Sequence, residues 1–262
     1  MQQGNKTNAF GFDASEFQAI INWFLAAKDG KSIAGIRSTY GHTILDAMFK
    51  RNWQQSQKAG FRIWAYHYAV PGASPAQTQV AFMLDALHSV GGYKAGYLPP
   101  ALDLEEDDGL TDVELRDWAV AFCEDLDAAI NNPFQRTMIY SYQSFIDAHP
   151  LTFAALADRL LWFPALGTNQ PADVGPFKQW AVWQYSDTGS IAGIRTPVDL
   201  DEWHTGLADL SKGIQQPPKL TPEVTTLQAH VAQLSDEVAA KDKTIKSLQD
   251  VVARVQADVK GE

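Results

Sequence analysis

At 262 residues, 45% of them hydrophobic and 20% charged, with a formal net charge of −10, the chain is long enough to bury a full core and carry one smaller appendage. The acidic balance argues against binding nucleic acid through its phosphates. The polar opening, Met1 to Asn8, runs straight into a first strand; neither a signal peptide nor membrane insertion is expected, and the protein is expected to be made and kept in the cytoplasm at first, so that a target outside the membrane would require its release.

Taken in chain order, strand-like runs end near Asp13, Thr39, Ala69, Glu105, Tyr142, Ala165, Ser186 and Leu200. Helical spacing of apolar residues fills 18–27, 46–59, 74–90 and 111–131 between the early strands. Ser74-Pro75 offers an N-cap and an N1 proline, and Thr111 with Glu114 a capping box. Strands alternating with helices predict an α/β fold with a parallel sheet, and about eight strands in roughly 210 residues suit a TIM-like barrel. After Tyr142 the connections shorten, so the last helices are expected to be reduced or missing. The lone Cys123 sits in a helical run and reads as a core thiol.

The domain boundaries follow from composition: a barrel over 1–212, a linker over 213–220 and a helix over 221–262. Val224, Val231, Val238, Ile245, Val252 and Val259 recur at seven-residue intervals, with Leu227, Leu234, Lys241, Leu248 and Val255 between them. β-Branched residues in the first slot and mostly Leu in the second favour a parallel two-stranded coiled coil, hence a homo-oligomer; Lys241 would fix its register. The other reading is a single amphipathic helix packed on the barrel.

Carboxylates at strand ends carry the chemistry. Asp103 and Glu105 stand two apart, so their side chains leave one face with Cα atoms roughly 6.5 Å apart. Two such groups resist joint ionisation, which lets one hold a proton near neutral pH and act as a general acid. Asp13 ends its strand in the same way, or caps the helix after Ser15. Asp199 and Asp201 form another alternate pair, with Asp199 the preferred candidate. Tyr66, Tyr140, Tyr142 and Trp183 serve either as groove-lining rings or as core. His67, between two Tyr residues, reads as structural. Nothing implies a metal or a cofactor: there is no His-Glu-x-x-His and no Gly-x-Ser-x-Gly, and Gly30-Lys31-Ser32 lacks a phosphate loop's first glycine because position 25 is Leu.

Together these segments resemble the family 25 glycoside hydrolases, lysozymes of the kind made by phages and bacteria. The resemblance rests on Gly11-Phe-Asp-Ala-Ser-Glu-Phe-Gln18, Asn52, Ala59-Gly60, Ala65-Tyr-His-Tyr68, Leu98-Pro-Pro-Ala-Leu-Asp-Leu-Glu105, Ile139-Tyr140, Trp183-Gln-Tyr-Ser186, Gly193-Ile194 and Val198-Asp-Leu-Asp-Glu-Trp203. It implies five β/α units followed by three strands, and cleavage of the β-1,4 bond between N-acetylmuramic acid and N-acetylglucosamine in peptidoglycan, as by a phage endolysin. By the resemblance Glu105 is the general acid/base and Asp103 its partner, orienting the sugar's acetamido group, with Asp13 and Asp199 the two further acidic residues. Two departures stand out. Arg37-Ser-Thr-Tyr-Gly41 replaces the common Lys-Ala-Thr-Glu-Gly, which leaves Arg37 as a substrate contact and Tyr40 in place of Glu, and Trp64 replaces a frequent Gly. The competing class is a non-catalytic wall-binding or virion structural protein assembled through the coiled coil.

Overall fold

The computed structural model describes residues 1–132 and 136–204, with Lys241 and Thr244 beyond them. The chain divides into two compact units, Met1–Pro217 and Pro218–Glu262. Of the second, only Lys241 and Thr244 are described, both helical. The linker expected over 213–220, the heptad seam over 221–262 and any pairing of chains through it therefore lie outside the described residues.

The first unit is an eight-stranded mixed barrel. Its staves are β1 (Ala9–Ala14), β2 (Ile33–Tyr40), β4 (Arg62–Tyr68), β5 (Ala101–Asp103), β6 (Met138–Tyr140), β7 (Leu161–Pro164), β8 (Val182–Gly189) and β9 (Val198–Trp203), while the two-residue β3 (Ile44–Leu45) folds back on the end of β2. Neighbours from β1 round to β8 pair in parallel. β9 closes the ring antiparallel to both β8 and β1. Helices α1 (Trp23–Lys28), α2 (Phe49–Lys58), α3 (Ala76–His88), α4 (Asp112–Ile130) and the pair α5 (Gln143–Ala148) and α6 (Pro150–Ala155) follow the first five staves, and β7, β8 and β9 succeed one another without a helix.

Period-two alternation divides the core. Inward positions supply Ile33, Trp64, Tyr66, Ala101, Met138, Trp162, Val182 and Trp203 to the barrel interior. Outward positions such as Phe12, Ile36, Ala65, Leu102, Ile139 and Phe163 meet the helices. On α4, Leu115, Trp118, Ala119, Phe122, Cys123 and Leu126 form one buried stripe at helical spacing, and Thr111 with Glu114 closes the expected capping box. Trp64 fits the interior because Gly35 lies opposite: a Cβ there would stand 2.6 Å from the Trp64 ring. His67 is structural, as expected. It is fully buried, stacked on Phe122, and bonded through Nδ1 to Thr39 (2.7 Å) and through Nε2 to Gln79 (2.8 Å). Burial lowers its pKa to about 4, so the ring is neutral.

Three local expectations need correction. The helix expected over 18–27 starts only at Trp23, because a 3-10 turn, Glu16–Gln18, ends at Ala19 with φ 51°; Asn22 then caps α1, accepting from Leu25 N. Ser74 does not cap α3, since Pro75 occupies the cap position and the Ser74 hydroxyl instead accepts from Gln79 Nε2 at 3.2 Å. Asp199 lies at the start of a strand and not at its end, because β9 runs antiparallel from Val198.

Candidate active site

That reversal explains how the carboxylates meet. A parallel stave delivers residues to the upper rim from its C-terminal end, and an antiparallel stave delivers them from its first residues. Asp13 and Asp103 therefore arrive late on β1 and β5, and Asp199 arrives early on β9. Glu105 lies two residues beyond β5. Its aim is kept by Leu104, which is buried between the two acids, donates its N–H to Tyr140 O (3.0 Å) and accepts from Ser141 Oγ (2.8 Å). All four acids line one cavity of about 190 Å³, together with Arg37, Tyr66, Tyr68, Tyr140, Trp162, Gln184 and the 3-10 turn after β1.

The electrostatics of the cavity favour retained protons. Burial raises Asp103 well above the ordinary carboxylate range, and the Glu105 charge and a hydrogen bond with Glu105 add to this. Burial also raises Glu105, while the bond from Asp103 opposes the rise. One proton shared by the pair fits both directions. Asp103 Oδ1 is buried and has no partner within the protein among the described residues. Asp13 is raised well above its usual range by burial and then by Asp199, and a bond from Gln184 lowers it. Asp199 is pushed up to about 6 by burial, then by Asp187 and Glu105. Among the described residues, no group of three or more His, Cys, Asp or Glu is arranged to hold a metal ion.

The remaining expected residues divide. Tyr66 and Tyr140 line the cavity, and Tyr140 donates its hydroxyl to Gln184 Oε1 at 3.1 Å. Tyr142 does not line the cavity and instead donates its hydroxyl to the Glu105 carbonyl at 3.2 Å. Trp183 is not brought to the cavity. Alternation on β8 turns Val182 and Gln184 inward and Trp183 outward, where its Nε1 donates to Ala165 O. Arg37 lines the cavity, but its guanidinium is held by Asp46 (2.9 Å) and Glu16 (3.1 Å). Asp201 is fully buried and accepts from Trp162 Nε1 at 2.9 Å. Tyr40 stacks on Tyr68 at 4.6 Å with the planes 6° apart, and Tyr68 donates to Glu106 at 3.0 Å.

Gln184 is the residue that the sequence reading missed. It is buried, donates Nε2 to Asp13 Oδ2 at 2.8 Å, and accepts from Tyr140. The signal was parity: once Val182 faces inward, position 184 must face inward too, above it on the rim.

Comparison with known proteins agrees with this geometry. The family model for Glycosyl hydrolases family 25 matches residues 12–194, a span that includes Asp13, Asp103, Glu105 and Gln184. The chain belongs to glycosyl hydrolase family 25. This family 25 enzyme is a glycoside hydrolase, and it is 28% identical over 209 residues to Lysozyme M1 of Streptomyces globisporus, covering 76% of this chain and 69% of that protein. Its fold is similar to the bacterial lysozyme from Streptomyces coelicolor, with a TM-score of 0.70 and 27% identity over 80% of this chain and 100% of that one. It is also similar to a family GH25 lysozyme from Aspergillus fumigatus, with a TM-score of 0.68 and 28% identity over 79% and 100% of the two chains.

Proposed function

We propose that this hydrolase is a muramidase, cutting the β-1,4 bond between N-acetylmuramic acid and N-acetylglucosamine in peptidoglycan. The observation that carries the reading is the convergence of Asp103 and Glu105, both raised by burial, on one cavity that Asp13 and Asp199 also line. Its relatives named as lysozymes support the substrate.

In this reading the substrate's own acetamido group is the nucleophile, and its N–H donates to the unpartnered Oδ1 of Asp103. Charge on Asp103 then orients the group, and the shared proton is left to Glu105. Glu105 donates it to the leaving oxygen and afterwards takes a proton from the attacking water. Asp199, pushed up to about 6 and so charged at neutral pH, offsets positive charge that develops at the anomeric carbon, and Asp13 adds to this when it ionises. Gln184 is a positioning residue, holding Asp13 through one amide atom and Tyr140 through the other. Arg37, Tyr66, Tyr140 and Tyr142 belong to the substrate groove or its support.

Pairing of chains through 221–262, and release from a host cytoplasm in the manner of a phage endolysin, are parts of the same proposal that rest on sequence alone. Paired copies would raise avidity for a polymeric wall. The activity is tested by digesting purified peptidoglycan, reducing the products with borohydride and identifying the new ends by mass spectrometry. Reduced muramic acid ends are expected; reduced glucosamine ends, or none, would overturn the reading.

A further inference from the structure

Phe17 is 72% exposed although it lines the same cavity as the four acids. A single exposed ring is ordinary on a protein surface. This one, however, is carried on a braced backbone. Phe17 N donates to Ser15 Oγ (3.3 Å), Ser15 N donates to Gln18 Oε1 (2.9 Å), and Glu16 N donates to Asp46 Oδ2 (2.9 Å). The Arg37 guanidinium lies over the ring, 5.1 Å from its centroid, within cation–π range. Asp46 and Glu16 hold that guanidinium in turn, and Asp46 is itself buried. One side of the ring therefore meets a cation held in place, while most of the residue's surface stays exposed where it lines the cavity.

We propose that Phe17 is a stacking platform for a pyranose ring of the glycan strand at the mouth of the cavity, and that Arg37 acts by presenting it. The C–H face of a pyranose is apolar and flat enough to cover an aromatic face. Stacking would remove from water the ring surface that the fold leaves exposed. The bracing fixes the backbone that carries the ring, and the Arg37 contact favours one orientation of the side chain, which lowers the ordering cost when the sugar arrives. Arg37, expected from the sequence to touch substrate, is thus a positioning residue whose charge is already matched by two carboxylates. The inference rests on the glycoside hydrolase reading of the cavity and adds a sugar subsite on the β1 side.

The test measures binding and cutting separately on the full chain. Binding of a soluble tetrasaccharide of alternating N-acetylglucosamine and N-acetylmuramic acid is followed by calorimetry in a Glu105→Gln background, where turnover cannot interfere. Phe17→Ala is expected to weaken binding by about fivefold or more, the order set by loss of an aromatic stacking partner, with an unchanged thermal midpoint. Phe17→Trp is expected to bind at least as tightly as the Phe17 parent. Arg37→Lys should weaken binding when Phe17 is present and have little effect once it is Ala; a full additive loss would mean that Arg37 contacts the sugar directly and would overturn its assigned role. Equal binding by the Phe17→Ala and Phe17 proteins would overturn the platform. Phe17-dependent binding with no new reducing ends from wild type would instead strike the hydrolase mechanism and leave the platform standing.

Discussion

Asp199→Asn should make the protein more stable and less active. Burial, with Asp187 and Glu105 nearby, moves the Asp199 carboxyl from 3.8 to about 6. At about 1.4 kcal/mol per pH decade, the charged form costs the native state about 3 kcal/mol above pH 6. The side chain is partly open to solvent, which screens the effect, so about 1–1.5 kcal/mol is the reasonable expectation. Because the folded value lies above the unfolded one, this penalty is absent below about pH 4, grows between 4 and 6, and is complete at pH 8. Asn is isosteric and uncharged, so it removes the penalty. Calorimetric melting at pH 8 should show a midpoint about 3–5 °C higher for a domain of this size, and the gain should vanish at pH 4. In the same preparation kcat/KM on peptidoglycan should fall, the usual trade between stability and a charged site. A variant no more stable than wild type at pH 8, or one whose gain persists at pH 4, would refute the view that the cavity holds Asp199 under electrostatic strain.

Gln184→Leu removes the bond that lowers the Asp13 pKa, so Asp13 should ionise later and the acid limb of the kcat/KM profile should move to higher pH; an unmoved limb with reduced kcat would leave Gln184 a purely structural role. Gly35→Ala places a Cβ 2.6 Å from the Trp64 ring inside the barrel and should cost about 1–3 kcal/mol by overpacking, measured by chemical denaturation, whereas the same change made in a Trp64→Gly background should cost clearly less if that contact is the cause.

The barrel was legible in the sequence because its determinants are local. Apolar runs ending in Asp13, Asp103 and Glu105, and the capped helix from Thr111, each declare their element within a few residues. The change after Tyr142 also read correctly, since the loss of helical spacing between β7, β8 and β9 is visible in the residues themselves. Strand direction was less accessible. Nothing local in Pro197-Val-Asp199 tells whether the strand is beginning or ending, and only the antiparallel pairing of β9 resolves it. Trp183 and Gln184 show a similar limit: an aromatic attracts attention, but inward or outward facing depends on register with β7 and β9. That Glu16 and Asp46 hold the Arg37 guanidinium was not legible, because the two carboxylates come from separate segments of the chain. The choice between Asp199 and Asp201 likewise needed depth in the barrel, where the Trp162 indole takes Asp201 and leaves Asp199 to the cavity.

The most direct test of the account compares wild type with Glu105→Gln on purified peptidoglycan, counting borohydride-reduced muramic acid ends by mass spectrometry against time. The substitution keeps the side chain's shape and removes only its ability to give and take a proton. The account predicts reduced muramic acid ends from wild type and a rate lower by at least about 10²-fold in the variant, the scale of general acid/base catalysis, with wall binding retained. A variant that releases those ends at a rate within tenfold of wild type would contradict the assignment of Glu105 as the proton donor.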